Sequence, residues 1–260
     1  MKDTSAPLLD QARVQRSFRR GLETYHRHAV AQARIAQDLA AMLAGAGAPR
    51  KLEAVLEFGC GTGLLTEALL GRFGIAGLTL NDLVAEAAPG LQARTAGQAR
   101  FLAGPIEQLP LPDGLDLIAS ASTVQWVEDI PALMARLAAS LRPGGWLALS
   151  GFGRGHFPEL AALGSGAAAP GYADAAEWAG LLPPGMELLE VVQQPIVLTF
   201  GSAMELLRHL RRTGVNGQAR ARWSRASLQA FEESYRARFG QQGRLPLTYD
   251  AVRLIARKRS

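Results

Sequence analysis

Nine residues, Val55-Leu56-Glu57-Phe58-Gly59-Cys60-Gly61-Thr62-Gly63, constrain this chain more than any other stretch. An apolar run of β character ends in an acid, three glycines alternate through a turn, and residues 64–70 continue with helical character. The order is strand, loop, helix. Glycine has no Cβ, so it takes positive φ readily and lets a ligand lie against the backbone. A helix starting just beyond it offers unpaired N–H groups. The stretch therefore reads as a cofactor cradle. A dinucleotide fingerprint spaces its glycines G-x-G-x-x-G with an acid about 20 residues on. Here the third glycine comes one residue sooner, and Glu57 stands two residues before the first.

With 260 residues, 48% of them hydrophobic, the chain can bury a full core as one domain with insertions or as two small ones. No run approaches the ~18 apolar residues needed to cross a bilayer, and the first residues lack the apolar segment of a secretory signal. The expectation is a cytoplasmic protein. Cys60, the single cysteine, has no partner for an internal disulfide, which agrees with a reducing compartment. A small half-buried side chain is the simpler reading of it than a nucleophile. His26, His28, His156 and His209 show no metal-ligand spacing, so no metal is expected. A net charge of +5 permits an acidic partner, nucleic acid included, without naming one.

Residues 14–43 keep a helical period, with Ala29, Ala33, Ala36, Ala40 and Leu43 at steps of four and three, until the Gly/Ala/Pro run at 45–49 breaks it. Strands are expected over 52–58, 77–82, 100–103, 116–120 and 146–150. A helix follows the cradle to about residue 72, and another opens at Ile130-Pro131. Five strands with intervening helices make a doubly wound α/β domain. Strand two ends in Asp82, 19 residues beyond Gly63. Carboxyl ends of parallel strands line the ligand crevice, so Asp82 is placed to accept from both hydroxyls of a ribose; a helix N-cap is its other reading. A Gly/Ala/Pro-rich segment with a helix near 173–181 follows, then strands over 191–200 and 249–256. Between these two strands, 201–247 is helical in character. The arm over 1–50 and this insertion have no role in building the sheet and are candidates for a lid over a domain spanning 51–260.

The Glu57 to Gly63 pattern resembles the first motif of class I S-adenosylmethionine-dependent methyltransferases. That resemblance implies a Rossmann-like doubly wound sheet of seven strands, the last antiparallel, with S-adenosylmethionine as cofactor. It sets Glu57, Gly59, Gly61, Gly63, Asp82, Ile106, Glu107 and Ser120 around the cofactor. Pro105 stands where many such enzymes carry an acid for the adenine amino group, so that contact passes to backbone at Ile106 or to Glu107.

A closer resemblance spans nearly the whole chain. Phe18, Tyr25, Ala29 and Gln32, then Gln125-Trp126, Glu159-Leu160, the run from His209 to Asn216 and the run from Leu245 to Asp250 are similar to the malonyl-[acyl-carrier protein] O-methyltransferase family of biotin synthesis. Ala121 and His26 depart from its usual Asn and Asp. The family methylates the free carboxylate of a malonyl thioester on acyl-carrier protein. It implies Tyr25 as a donor to that carboxylate, with Arg211 and His209 as further substrate-side residues. A carboxylate has a reference pKa near ~4, so it needs no general base. The expected partner is an acidic carrier protein, met by a monomer whose 205–225 segment holds Arg208, Arg211, Arg212, Arg220, Arg222 and Arg225 against Glu205. Three other readings stay open at this point. They are a methyltransferase for another small acceptor such as a quinone or a free carboxylic acid, a basic nucleic-acid-binding protein of the same fold, and a non-catalytic relative.

Overall fold

Five strands run parallel: β1 (Lys51–Phe58), β2 (Gly74–Asp82), β3 (Ala99–Ala103), β4 (Leu115–Ser120) and β5 (Leu141–Phe152). A long hairpin pair, β6 (Met186–Phe200) and β7 (Leu245–Lys258), completes one sheet in the order β3-β2-β1-β4-β5-β7-β6. β7 is antiparallel to both of its neighbours. This is the seven-stranded sheet that the resemblance implied. The computed structural model describes residues 11–164, 169, 171–213 and 224–260.

Side chains alternate across a strand, and they divide the core into two layers. Leu52, Val55, Leu78, Leu80, Leu117 and Ala148 face α2 (Val30–Gly45), α3 (Leu64–Leu70) and α4 (Ala88–Arg94). Leu56, Phe58, Ile118, Leu147, Leu149 and Leu254 face α5 (Ile130–Ser140) and Trp178 of α7 (Ala175–Ala179). The start of α5 is set as the Asp-x-Pro order suggests, with Asp129 Oδ1 accepting from Ala132 N at 2.9 Å.

Strand ends extend past the expected ones. β5 begins at Leu141 because residues 142–145 form a bulge opposite Asp116 rather than a turn ahead of the strand. β6 begins at Met186 and β7 at Leu245, pairing over their full lengths. The segment between them carries α8 (Ala203–Arg212) and α9 (Arg225–Phe239), as the helical insertion required.

The N-terminal arm needs a correction. It is two helices, α1 (Gln11–His28) and α2, divided at Ala29, whose ψ of 54° leaves the helical range although its N–H still donates to Tyr25 O and its carbonyl still accepts from Ala33 N. Ile35, Leu39 and Leu43 of α2 are fully buried, and each such side chain stabilises by roughly 1.5–3 kcal/mol. α2 is therefore a layer of the core, and only α1 lies outside it. A third apolar cluster joins α2 to the insertion through Ile35, Phe157 of the loop before α6 (Pro158–Ala162), Leu206 and Leu210 of α8, Tyr235 of α9 and Tyr249 of β7.

Candidate active site

The carboxyl ends of β1, β2 and β4 open into a cleft enclosing about 1210 Å³ of empty space, open solvent included. Its floor is the glycine turn. Gly59 has φ of +62°, and a Cβ there would lie 2.2 Å from Thr123 Oγ1, so the β4 loop can approach only a glycine. Gly61 has φ of +52° and nothing within 4 Å of a Cβ position; the open space above it is the cleft itself. Its N–H donates to Asp82 Oδ2 at 2.7 Å, and Val84 N donates to Asp82 Oδ1 at 2.8 Å. A carboxylate offers about four lone-pair sites, so each oxygen of Asp82 keeps one for a ligand diol. Asn81 holds the adjoining wall by donating to the Leu102 and Gly104 carbonyls at 3.0 and 2.9 Å.

Glu57 lies beneath this turn, 1% exposed, accepting from Thr66 Oγ1 at 2.7 Å. Burial, aided by the charge of Asp82, pushes its carboxyl up to about 8. Asp82 is also raised by burial, against the two amides that hold it. Burial raises the Cys60 thiol well above its ordinary value, so Cys60 is a neutral wall residue and not a nucleophile.

Two of the residues expected at the cofactor are not among those lining the cleft. Ser120 is fully buried and donates to Phe58 O at 2.8 Å, clasping β4 to β1 away from the cleft. Its neighbour Ser122 lines the cleft instead, at φ of 57° and with an unpartnered buried hydroxyl. Gly63 does not line the cleft either; a Cβ there would come 3.0 Å from Leu91 Cδ2, so α4 packs on it. Pro105, Ile106 and Glu107 do line it. Arg136 fixes that loop by donating to the carbonyls of Ile106, Glu107 and Leu109, a clamp across about 30 residues of sequence that no local pattern announces.

The arm closes the other side. Tyr25 and Leu22 of α1 and Gln32 of α2 line the same cleft as Glu57 and Asp82. Burial and the Asp82 charge raise the half-buried Tyr25 phenol, which keeps it a hydrogen-bond donor. α1 is tied across the cradle by Gln15 Nε2 to Leu83 O at 3.1 Å, Arg19 to Glu86 at 2.8 Å and His26 Nδ1 to Thr62 Oγ1 at 3.3 Å. His209 is set behind this wall, its Nε2 2.6 Å from Tyr249 Oη. Burial, then the charge of His28, lowers it to about 4. Arg211 is exposed on α8 and is not among the cleft residues. Gly214, Val215, Asn216, Arg220 and Arg222 lie outside the described residues, as does the side chain of Phe18.

The donor set fits S-adenosylmethionine. Unfilled space lies over Gly61, Asp82 keeps free acceptor sites, and buried acids stand where a cation would rest. Among the described residues no group of three or more His, Cys, Asp or Glu could hold a metal.

Residues 56–149 match the family model described as Methyltransferase domain. Over 98% of both chains, the sequence is 38% identical to a protein of Chlorobium luteolum named malonyl-[acyl-carrier protein] O-methyltransferase. It is 40% identical to one of the same name from Chlorobium phaeovibrioides, over 96% of this chain and 97% of that one. In fold it resembles a putative methyltransferase of Bacillus halodurans, at TM-score 0.62 and 16% identity over 86% of this chain and 99% of that one. The N-methyltransferase NodS of Bradyrhizobium japonicum, solved with S-adenosyl-L-homocysteine, superposes at TM-score 0.53 and 17% identity over 95% of this chain and 100% of that one.

Proposed function

The chain belongs to the malonyl-[acyl-carrier protein] O-methyltransferase family, and from that premise we propose that it methylates the free carboxylate of a malonyl thioester on acyl-carrier protein, an early step of biotin synthesis. One observation carries this reading beyond the family name: Tyr25 of the arm and the Glu57–Asp82 cradle open into a single cleft. A methyl donor and a carboxylate acceptor can therefore meet there.

Glu57, Gly59, Gly61, Asp82, Ser122, Ile106 and Glu107 would hold the cofactor, with Gly63 setting the packing beneath it. When bound, it supplies a sulfonium methyl that a carboxylate oxygen can take up as the carbon–sulfur bond pair returns to sulfur. The chain's own part is placement. The acceptor is ionised at neutral pH, so no residue has to remove a proton. Tyr25 donates to one carboxylate oxygen and orients the other, and α1, tied down by Gln15, Arg19 and His26, excludes water from the nucleophile. His209 supports this wall through Tyr249. Arg211 serves the carrier at the surface rather than the carboxylate.

The carrier is expected to be acidic. Arg27 of α1 and Arg208 and Arg211 of α8 are exposed near one another's helices, and burial, then the charges of Arg212 and Arg27, disfavours the charged form of His28. Such a surface steers an acidic partner. No helix of the structure, among the described residues, is long and apolar enough to cross a membrane. We place the protein in the cytoplasm, as a monomer in which α1 covers the cleft. Transfer of labelled methyl to malonyl-carrier protein, with acetyl-carrier protein and free malonyl-CoA alongside, tests the reading. So does rescue of a biotin-requiring strain; no transfer to the malonyl carrier would overturn it.

A further inference from the structure

Asp82 keeps acceptor sites for a diol at the carboxyl end of β2, and β2 has β1 on one side and β3 on the other. The sulfur end of the cofactor belongs with the β1 turn and Tyr25, so its base, across the ribose, belongs with the loop after β3. Gly104, Pro105, Ile106 and Glu107 of that loop line the cleft, as do Leu83 and Val84 just past Asp82. Leucine, valine, proline and isoleucine offer a planar base apolar contact.

Adenine adds a demand that apolar contact does not meet. Its 6-amino group is a donor, and a donor taken from water needs an acceptor. The backbone of the loop has its carbonyls committed. Gly104 O accepts from Asn81 Nδ2 at 2.9 Å and Pro105 O from Gln108 N at 3.0 Å, while the carbonyls of Ile106 and Glu107 accept from Arg136 of α5, which is not a cleft residue. A carbonyl oxygen has a second lone pair, but these oxygens are drawn toward α5, the Asn81 amide and the loop's own turn. Backbone N–H groups are donors and cannot serve an amino group, and the Pro105 side chain has no polar atom. Glu107 does have a free acceptor. Its side chain is half-buried, and its carboxylate has no hydrogen-bond or ion-pair partner among the described residues. Asn81 Oδ1 is a rival, on a side chain 2% exposed whose nitrogen is already held by the Leu102 and Gly104 carbonyls.

We propose that Glu107 is the specificity-determining residue for the adenine of the cofactor, its carboxylate accepting from the 6-amino group. Of the two routes open from sequence, the Glu107 side chain makes this contact and the backbone at Ile106 does not. The inference rests on S-adenosylmethionine as the cofactor and is independent of which acceptor is methylated. Glu107 therefore selects the base, and Asp82 the ribose.

Calorimetry with S-adenosyl-L-homocysteine, and with the same molecule carrying hydrogen in place of the 6-amino group, tests this as a cycle of ligand and side-chain changes. The unmutated chain should bind the first about tenfold or more tightly than the second, as loss of a hydrogen bond to a charged acceptor implies. Glu107→Ala should bind the two alike, with affinity for the desamino ligand no weaker than in the unmutated chain, which also reports an intact fold. Glu107→Gln keeps a neutral acceptor, and a neutral bond has roughly half the strength, so a preference of about threefold should remain. Equal weakening of both ligands by Glu107→Ala would make Glu107 a structural residue, and an unchanged preference would give the amino group to Asn81; either result overturns the proposal. An unmutated chain that does not bind S-adenosyl-L-homocysteine would refute the cofactor itself, and this proposal with it.

Discussion

The two walls of the cleft are built by different means. The cradle wall is backbone: Gly59, Gly61, the Asp82 carboxylate held by two amides, and a loop pinned at its carbonyls by Arg136. The facing wall is side chain: Leu22 and Tyr25 of α1 and Gln32 of α2, with the paired Tyr249 of β7 and His209 of α8 behind them. Backbone recognition suits a cofactor of constant shape. Phenol and amide side chains suit an acceptor, because their donors can be redirected. The difference teaches that cofactor and substrate binding should be separable by mutation, although the two meet within one cleft.

The largest separation is expected at Asp82. Each hydrogen bond to a charged acceptor contributes roughly 1.5–3 kcal/mol, so Asp82→Ala should weaken S-adenosyl-L-homocysteine binding on the order of 100-fold or more in calorimetry. Malonyl-carrier affinity should hold. Parallel loss of both would mean that the walls are one structure. Next in size, Gly59→Ala forces a Cβ to 2.2 Å from Thr123 Oγ1. Overpacking of this kind costs about 1–3 kcal/mol, to be read in denaturant unfolding.

A smaller effect follows pH. Folding raises Glu57 from 4.5 to about 8. A group raised in this way contributes its stability fully below its unfolded value, and that contribution is lost as pH rises through the folded one. The free protein should therefore lose melting temperature between about pH 6 and 8, a window above that of the lowered His156 and His209. Glu57→Gln should flatten this slope, and a slope left intact would assign it elsewhere. Cationic cofactor favours the ionised carboxylate, so its affinity should rise over the same window with release of a proton.

The mildest test addresses the surface. Arg208→Glu with Arg211→Glu should raise KM for the carrier several-fold at low salt and leave free malonyl-CoA unaffected, since the Debye length is only about 10 Å at 0.1 M salt. An equal effect on both acceptors would place these arginines in the cleft after all.

The same contrast explains what could be read from sequence. Strand, glycine turn and helix fall within a few neighbouring residues, so the cradle and Asp82 were legible from local rules. Tyr25 and the carrier came through family resemblance alone. Ser122 was missed because two positions along the chain separate the β1 clasp made by Ser120 from the cleft, and where β4 ends is set by long-range pairing. Arg136 and the His209–Tyr249 pair join positions that no window contains. The division of the arm at Ala29 has no glycine or proline to mark it; alanine is a strong helix former, and packing of Ile35 and Leu39 into the core decides where the helix bends. Strand ends were short for a related reason. Residues 186–190 of β6 run along β7 although three of the five are exposed, and an apolar run is a poor guide to an edge.

Tyr25→Phe tests most directly whether the arm serves the acceptor and the glycine cradle serves the cofactor. Labelled methyl transfer to malonyl-carrier protein should fall on the order of 100-fold, the loss expected when a reacting group is misplaced, with S-adenosyl-L-homocysteine affinity within about twofold of the unmutated chain. Full turnover in the variant, or a matching fall in cofactor affinity, would contradict the account.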